Sequence, residues 1–163
     1  MTINKISPNV SQFYFRQFGS CAYLIKLEDK NILIDTSSEI NKQELIENLK
    51  ELDLQPTEIN IVILTHSHWD HNENLELFSS AEIYDAKTID GINISEFKII
   101  KTPGHTQDSI CILYKDILFS GDTIFHNEGR GRTDLEGGSE TQILDSIEKL
   151  KTIDYEILCP GHL

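Results

Sequence analysis

Cysteine and basic residues are scarce in this chain of 163 residues. The three cysteines, Cys21, Cys111 and Cys159, are far apart and form no C-x-x-C pair. Because their number is odd and the N-terminus carries no apolar signal segment, we expect no disulfide framework of the secreted type. We expect buried thiols that pack as small apolar side chains, in a reducing, cytoplasmic compartment.

Positive charge and long apolar runs are also in short supply. Lysine and arginine number 14 against 27 aspartate and glutamate residues, which gives a formal net charge of −13. Such a surface repels nucleic-acid phosphates and anionic membranes, and the longest apolar runs have strand length rather than membrane-spanning length. The expected partner is therefore a small-molecule substrate, with neither nucleic acid nor membrane. An exposed chain end also favours a homodimer.

The order of apolar patterns predicts one α/β domain over residues 1–163. Apolar, β-branched runs predict strands at 10–18, 21–27, 31–35, 59–64, 82–85, 97–101, 109–114, 117–119 and 156–159. Helical spacing predicts helices over 41–54, capped by Asn41, over 72–79, and from a Ser139 cap to Leu150. Strands and helices in both halves predict two sheets packed together with helices outside.

One short stretch of the sequence contains several side chains of the metal-ligand type. Three imidazoles and one carboxylate fall within six positions of Thr65-His66-Ser67-His68-Trp69-Asp70-His71-Asn72. In extended chain His66 and His68 would point the same way, whereas Asp70 and His71 fall where a helix begins. This arrangement suits two metal ions side by side better than one. Zinc, iron and manganese all accept imidazole and carboxylate ligands.

Other ligand-type residues also stand just past predicted strands. They are His105, in the turn after strand 97–101, then Asp122 and His162. Open sheets tend to build their sites at such an edge. Asp35 ends a strand as well, and two interpretations stay open: a strand-end cap or a support for the metal ligands. His126 is the exception, and we interpret it as a loop residue without a metal role.

The ordered set of ligands resembles the metallo-β-lactamase superfamily over nearly the whole chain. The resemblance implies a four-layer αβ/βα sandwich of two mixed β-sheets flanked by helices, C-terminally short because the sequence ends one residue after His162. It implies two divalent metal ions, with zinc favoured over iron or manganese. The implied ligands are His66, His68 and His105 for one metal, Asp70, His71 and His162 for the other, and Asp122 as a bridge.

A finer resemblance concerns the run 118–125 and the segment Gly129-Arg130-Gly131-Arg132-Thr133-Asp134-Leu135. Both are similar to glyoxalase II-type hydrolases, which implies hydrolysis of a thioester or related ester by a hydroxide that bridges the metals. Asp70 is then the catalytic residue that orients this hydroxide. Persulfide dioxygenases share the segment equally, and this resemblance implies a single iron held by His66, His105 and Asp122. A third alternative is a weakly active or remnant metal-binding protein.

Two further observations qualify this resemblance. Arg132 has two open roles: it pairs with a substrate carboxylate, or with Asp134 as a structural ion pair, and the short spacing favours the structural pair. Ser37, Asn74 and Asp108 stand where the relatives usually carry glycine. The loops around the motif therefore differ from the family pattern in this chain.

Overall fold

The structure is a computed structural model that describes residues 2–163. Its chain forms two compact units, each built on one β-sheet. The first unit extends to Leu64 and includes His68–Asp85, and the second consists of Thr65–Ser67 and Ala86–Leu163.

The first unit contains a six-stranded mixed sheet. Its strands, which neighbour one another in chain order, are β1 (Ile3–Ser7), β2 (Val10–Phe13), β3 (Ala22–Lys26), β4 (Asn31–Ile34), β5 (Ile61–Ile63) and β6 (Glu82–Tyr84). Pairs from β1 to β4 are antiparallel, and β4, β5 and β6 pair in parallel. Because a parallel pair needs a long connection, helix α1 (Lys42–Glu51) occupies the crossover from β4 to β5.

The apolar face of α1 forms part of the core of the first unit. Leu45 and Leu49 are fully buried and belong to one cluster with Leu33 and Val62 from the sheet. The 3-and-4 spacing of apolar residues predicted this packing. The predicted cap is wrong, however, because the Asn41 side chain makes no capping hydrogen bond and donates to the carbonyl of Phe18 instead.

The second unit contains a four-stranded mixed sheet in the order β10-β9-β8-β7. Its strands are β7 (Phe97–Lys101), β8 (Ile110–Tyr114), β9 (Ile117–Gly121) and β10 (Ile157–Pro160). Strand β10 pairs with β9 in parallel, and helix α3 (Glu140–Leu150) lies in the connection between them. As predicted, Ser139 caps α3, since its side chain accepts a hydrogen bond from the backbone N–H of Gln142.

Two predicted elements are shorter than expected. The strand predicted over 10–18 ends at Phe13. Beyond it the backbone N–H of Arg16 donates to Glu44 and the carbonyl of Phe18 accepts from Asn41, so these residues bond to the segment around α1 instead of extending the ladder. The helix predicted over 72–79 is a one-turn helix, α2 (Trp69–Asn72), followed by a 3-10 turn (Leu75–Phe78). Between these two, the amide of Asn74 binds backbone carbonyls of another segment, which stops the regular helix. Strand β1 was missed because its polar residues lack an apolar pattern.

The remaining bulk expectations concern thiols and membrane helices. Cys21, Cys111 and Cys159 are buried thiols that belong to no disulfide, as predicted. Burial raises the pKa of the Cys111 thiol to about 11. Within the described residues, every helix is too short or too polar to cross a bilayer.

Candidate metal centre

The first unit holds three of the predicted ligands on or beside α2. His68 is the residue before this helix, and Asp70 and His71 lie within it, as predicted. Asp70 is 7% exposed and His71 is fully buried, and their ligand atoms lie within 4.8 Å of each other. Burying a carboxylate beside an imidazole on one short turn costs free energy, and a cation bound between them would offset that cost.

Asp35 fixes the orientation of His71. One carboxylate oxygen of Asp35, Oδ2, lies 2.7 Å from Nδ1 of His71. The neighbouring Thr36 binds the carbonyl of His71 through its backbone N–H at 2.8 Å and its hydroxyl at 3.1 Å. Because the carboxylate accepts the hydrogen bond, Nδ1 of the neutral imidazole carries the proton. Nε2 then presents the lone pair that would face a metal. Of the two interpretations left open for Asp35, the structure favours the support of a metal ligand.

The second unit brings the other four predicted ligands together around Asp122. Asp122 directly follows β9 and His162 lies two residues after the end of β10, so the parallel pairing places both at the same edge of the sheet. The Oδ2 atom of Asp122 lies 3.4 Å from Nε2 of His105 and 3.5 Å from Nε2 of His162. His66 packs edge-on against His105, with ring centroids 4.9 Å apart. Asp122 therefore lies beside one predicted ligand of each metal.

The donor atoms of this cluster fit a cation. Nδ1 of His105 lies 2.7 Å from the carbonyl oxygen of Arg132, which only accepts, so Nδ1 donates and Nε2 presents a lone pair. The carboxylate oxygen of Asp122 that faces it also presents lone pairs. Two ligands about 2.1 Å from a tetrahedral cation lie about 3.4 Å apart, which matches the separation between these atoms.

Two glycines allow the ligand loops to approach closely. A Cβ atom at Gly131 would lie 2.1 Å from the carbonyl oxygen of Asp122 and 2.7 Å from Nδ1 of His105. At Gly121, where φ is +49°, a Cβ atom would lie 2.7 Å from the side chain of Thr65. From the sequence, Gly131 was assigned no role, although the Gly-Arg-Gly-Arg segment that contains it was the signal that could have indicated one.

Arg132 contributes its backbone to the cluster, and its side chain is engaged elsewhere. Its guanidinium forms a two-bond ion pair with Asp134, at 2.7 and 2.6 Å. This pair lowers the pKa of the Asp134 carboxyl to about 2. The structural role favoured from the sequence is thus present, whereas the substrate role of Arg132 stays a prediction. His126 begins an exposed 3-10 turn.

Comparison with known proteins identifies the family. The sequence model of the Metallo-beta-lactamase superfamily matches residues 16–86 and 82–162, which together cover most of the chain. The chain belongs to the metallo-β-lactamase superfamily. The resemblance recognised from the histidine motif is therefore confirmed.

Curated relatives of this superfamily member are metallo-hydrolases. A probable metallo-hydrolase of Methanocaldococcus jannaschii is 38% identical over 143 residues, covering 80% of this chain and 70% of the relative. A probable polyketide biosynthesis zinc-dependent hydrolase of Bacillus velezensis is 31% identical and covers 91% of this chain and 75% of its own length. A hydroxyacylglutathione hydrolase of Francisella tularensis subsp. novicida is 28% identical, covering 83% and 59% respectively. These names support a hydrolase for this chain.

Solved structures confirm the fold class. The crystal structure of ETHE1 from Myxococcus xanthus matches with a TM-score of 0.74 at 26% identity, covering 100% of this chain and 76% of that protein. A subclass B3 metallo-beta-lactamase isolated from a soil metagenome library matches with a TM-score of 0.76 at 16% identity, covering 99% and 80%. The superfamily member thus has the α/β metallo-β-lactamase fold, with two mixed sheets and helices.

Proposed function

We propose that this metallo-hydrolase cleaves a thioester or a related ester. The observation that supports this most is the environment of Asp122, whose Oδ2 atom lies within 3.5 Å of Nε2 atoms from both His105 and His162. A carboxylate placed between two imidazoles suits a pair of cations, since its negative charge can be shared by both. One relative is a hydroxyacylglutathione hydrolase, and an acylated glutathione is a thioester.

The proposed metal ligands follow the family motif. The first metal would be held by His66, His68 and His105, the second by Asp70, His71 and His162, with Asp122 shared between them. When bound, such divalent ions lower the pKa of a coordinated water and polarise a substrate carbonyl. Zinc is the proposed ion, in keeping with the zinc-dependent hydrolase among the relatives.

The protein's own groups have separate tasks in this proposal. Asp70, the proposed catalytic residue, accepts a hydrogen bond from the attacking water and so orients it toward the carbonyl carbon. Asp35 and the carbonyl of Arg132 hold the protons on the Nδ1 atoms of His71 and His105, so that both rings present Nε2. Tautomer and ring orientation are then set before any substrate binds, which lowers the cost of organising the site.

Metal content is the first test. Protein produced in mixed-metal medium and examined by elemental analysis is expected to contain about two zinc ions per chain, one for each proposed ligand set. About one iron per chain, together with oxygen uptake on glutathione persulfide, would replace this proposal by the dioxygenase. Less than about half a metal per chain would favour the weakly active or remnant protein.

Activity is tested with paired substrates and variants. Thiol release from a panel of acyl thioesters should exceed hydrolysis of amides with the same acyl groups. Asp122→Asn is expected to lower kcat/KM by more than the roughly 10–100-fold typical of losing an outer partner of a metal ligand. Asp116→Asn is the matched control, because Asp116 is an exposed carboxylate at the opposite end of β9. Equal activity of both variants on the thioesters would contradict the proposal.

A further inference from the structure

Asn74 connects the segment after helix α2, which carries Asp70 and His71, to the loop that follows strand β4. It is fully buried and lies two residues after the end of α2. Its side-chain amide, Nδ2, lies 2.8 Å from the carbonyl oxygens of Thr36 and Ser38 and 3.3 Å from that of Ser37. One side chain therefore binds three consecutive carbonyl groups of the loop that follows β4.

This loop has a backbone conformation that its residues do not favour. Asp35 has a φ of 58° and Ser37 a φ of 62°, in the left-handed region where glycine is normally preferred. Both are buried, and neither is a glycine. Such a conformation persists only when surrounding contacts hold it. The amide of Asn74 provides such contacts on both sides of Ser37.

The same loop carries the group that orients His71. Asp35 binds Nδ1 of His71, and Thr36 binds the carbonyl of the same residue. His71 and Asn74 are three residues apart, which places them on the same side of the turn that begins with α2. The loop is thus attached at two points, to His71 in helix α2 and to Asn74 just after that helix.

We propose that Asn74 is a positioning residue for the metal centre. By holding the loop in its left-handed conformation, it keeps the carboxylate of Asp35 against Nδ1 of His71, and so directs Nε2 of His71 toward its metal. The inference rests on the proposed metal ligation of His71, and not on the identity of the substrate.

The test uses metal binding rather than catalysis. Asn74→Ala removes all three contacts, and is expected to weaken the binding of one of the two metals by about 10-fold while leaving the other near the wild-type value. Affinities are measured by competition with a chromophoric chelator. Cobalt(II) replacing zinc gives a visible spectrum, which should change for one site only.

Asn48→Ala is the matched control. Asn48 is also a buried asparagine of the first unit, and its side-chain oxygen accepts a hydrogen bond from the hydroxyl of Thr2, which is not among the proposed ligands. Loss of this contact should lower stability in urea by an amount similar to Asn74→Ala but leave both metal affinities and the cobalt spectrum unchanged. If Asn74→Ala does not fold, Asn74→Ser, which retains one donor, should show a smaller loss of the same metal.

Wild-type affinity for both metals in Asn74→Ala, or in Asn74→Ser if that variant is needed, would overturn the inference. Asn74→Asp adds a further check, because it keeps the volume but faces three carbonyl oxygens with a carboxylate. Wild-type metal affinity in Asn74→Asp would mean that only the volume of this side chain matters, and it would also contradict the proposal. A wild-type protein that binds two metals but cleaves no thioester would refute the proposed function and leave the role of Asn74 intact.

Discussion

Gly131 offers a sharp test of how the ligand loops are packed. In Gly131→Ala, the new Cβ atom would lie 2.1 Å from the carbonyl oxygen of Asp122, whereas an ordinary contact begins at 3.4 Å. The two segments must therefore separate by about 1.3 Å. The same Cβ atom would lie 2.7 Å from Nδ1 of His105, whose hydrogen bond to the carbonyl of Arg132 sets the tautomer of the ring.

The size of the effect follows from this displacement. Misplacing a catalytic group by about 1 Å costs about 100-fold in rate, and overpacking a close-packed site costs about 1–3 kcal/mol in stability. We expect Gly131→Ala to lose about 100-fold in kcat/KM on a thioester and to bind at least one metal more weakly. The assays are thiol release, chelator competition and urea unfolding.

Gly91→Ala is the control for this prediction. Gly91 also lies in the second unit, and a Cβ atom there meets nothing within 4 Å. Its urea midpoint, metal affinities and activity should match the wild type within error, since an exposed substitution of this kind changes stability by no more than about 0.5 kcal/mol. If Gly131→Ala behaves like Gly91→Ala, the close approach of its loop does not determine the geometry of the ligands.

Three further predictions concern the groups around the site. Asp35→Asn should weaken one metal about 10–100-fold in chelator competition, since it removes the charged partner of His71; unchanged affinity would refute that role. Asp134→Asn should lower the urea midpoint slightly at neutral pH. Because Arg132 depresses the pKa of Asp134 from 3.8 to about 2, the difference from wild type should shrink as pH falls through this range, and a difference constant down to pH 2 would contradict it. Ser139→Ala should destabilise the protein by about 1 kcal/mol in urea, with no change of metal content.

Much of the fold was predictable because local patterns were strong. Strand β7 was predicted with its observed bounds, 97–101, since apolar residues and turn residues define both ends. Helix α3 was predicted with its cap, because Ser139 precedes an amphipathic repeat. The strand over 10–18 and the helix over 72–79 were too long. In the first case the Asn41 side chain binds the carbonyl of Phe18, and in the second the Thr36 hydroxyl binds the carbonyl of His71, so distant groups take backbone partners that a longer strand or helix would use.

In the candidate site, too, local sequence features were predictable and contacts between distant segments were not. The candidate ligands could be proposed from spacing, since three histidines and an aspartate in six positions are typical of a metal site. The single-domain organisation and the metal assignment of each ligand stay predictions. The roles of Gly131, Asn74 and the carbonyl of Arg132 were missed, because each depends on a backbone contact or on a residue distant in the chain, which sequence spacing does not report.

The sequence by itself determined the family, the type of ligand and the element types, because these depend on residue chemistry and on periodicity over a few positions. Only the tertiary structure decided which nitrogen of His71 and of His105 is engaged by a hydrogen-bond acceptor, and therefore which nitrogen would face a metal. It also decided why Asp35 and Ser37 tolerate left-handed backbone. The physical reason is that tautomer, loop strain and close approach are set by hydrogen bonds and van der Waals contacts between segments far apart in the chain.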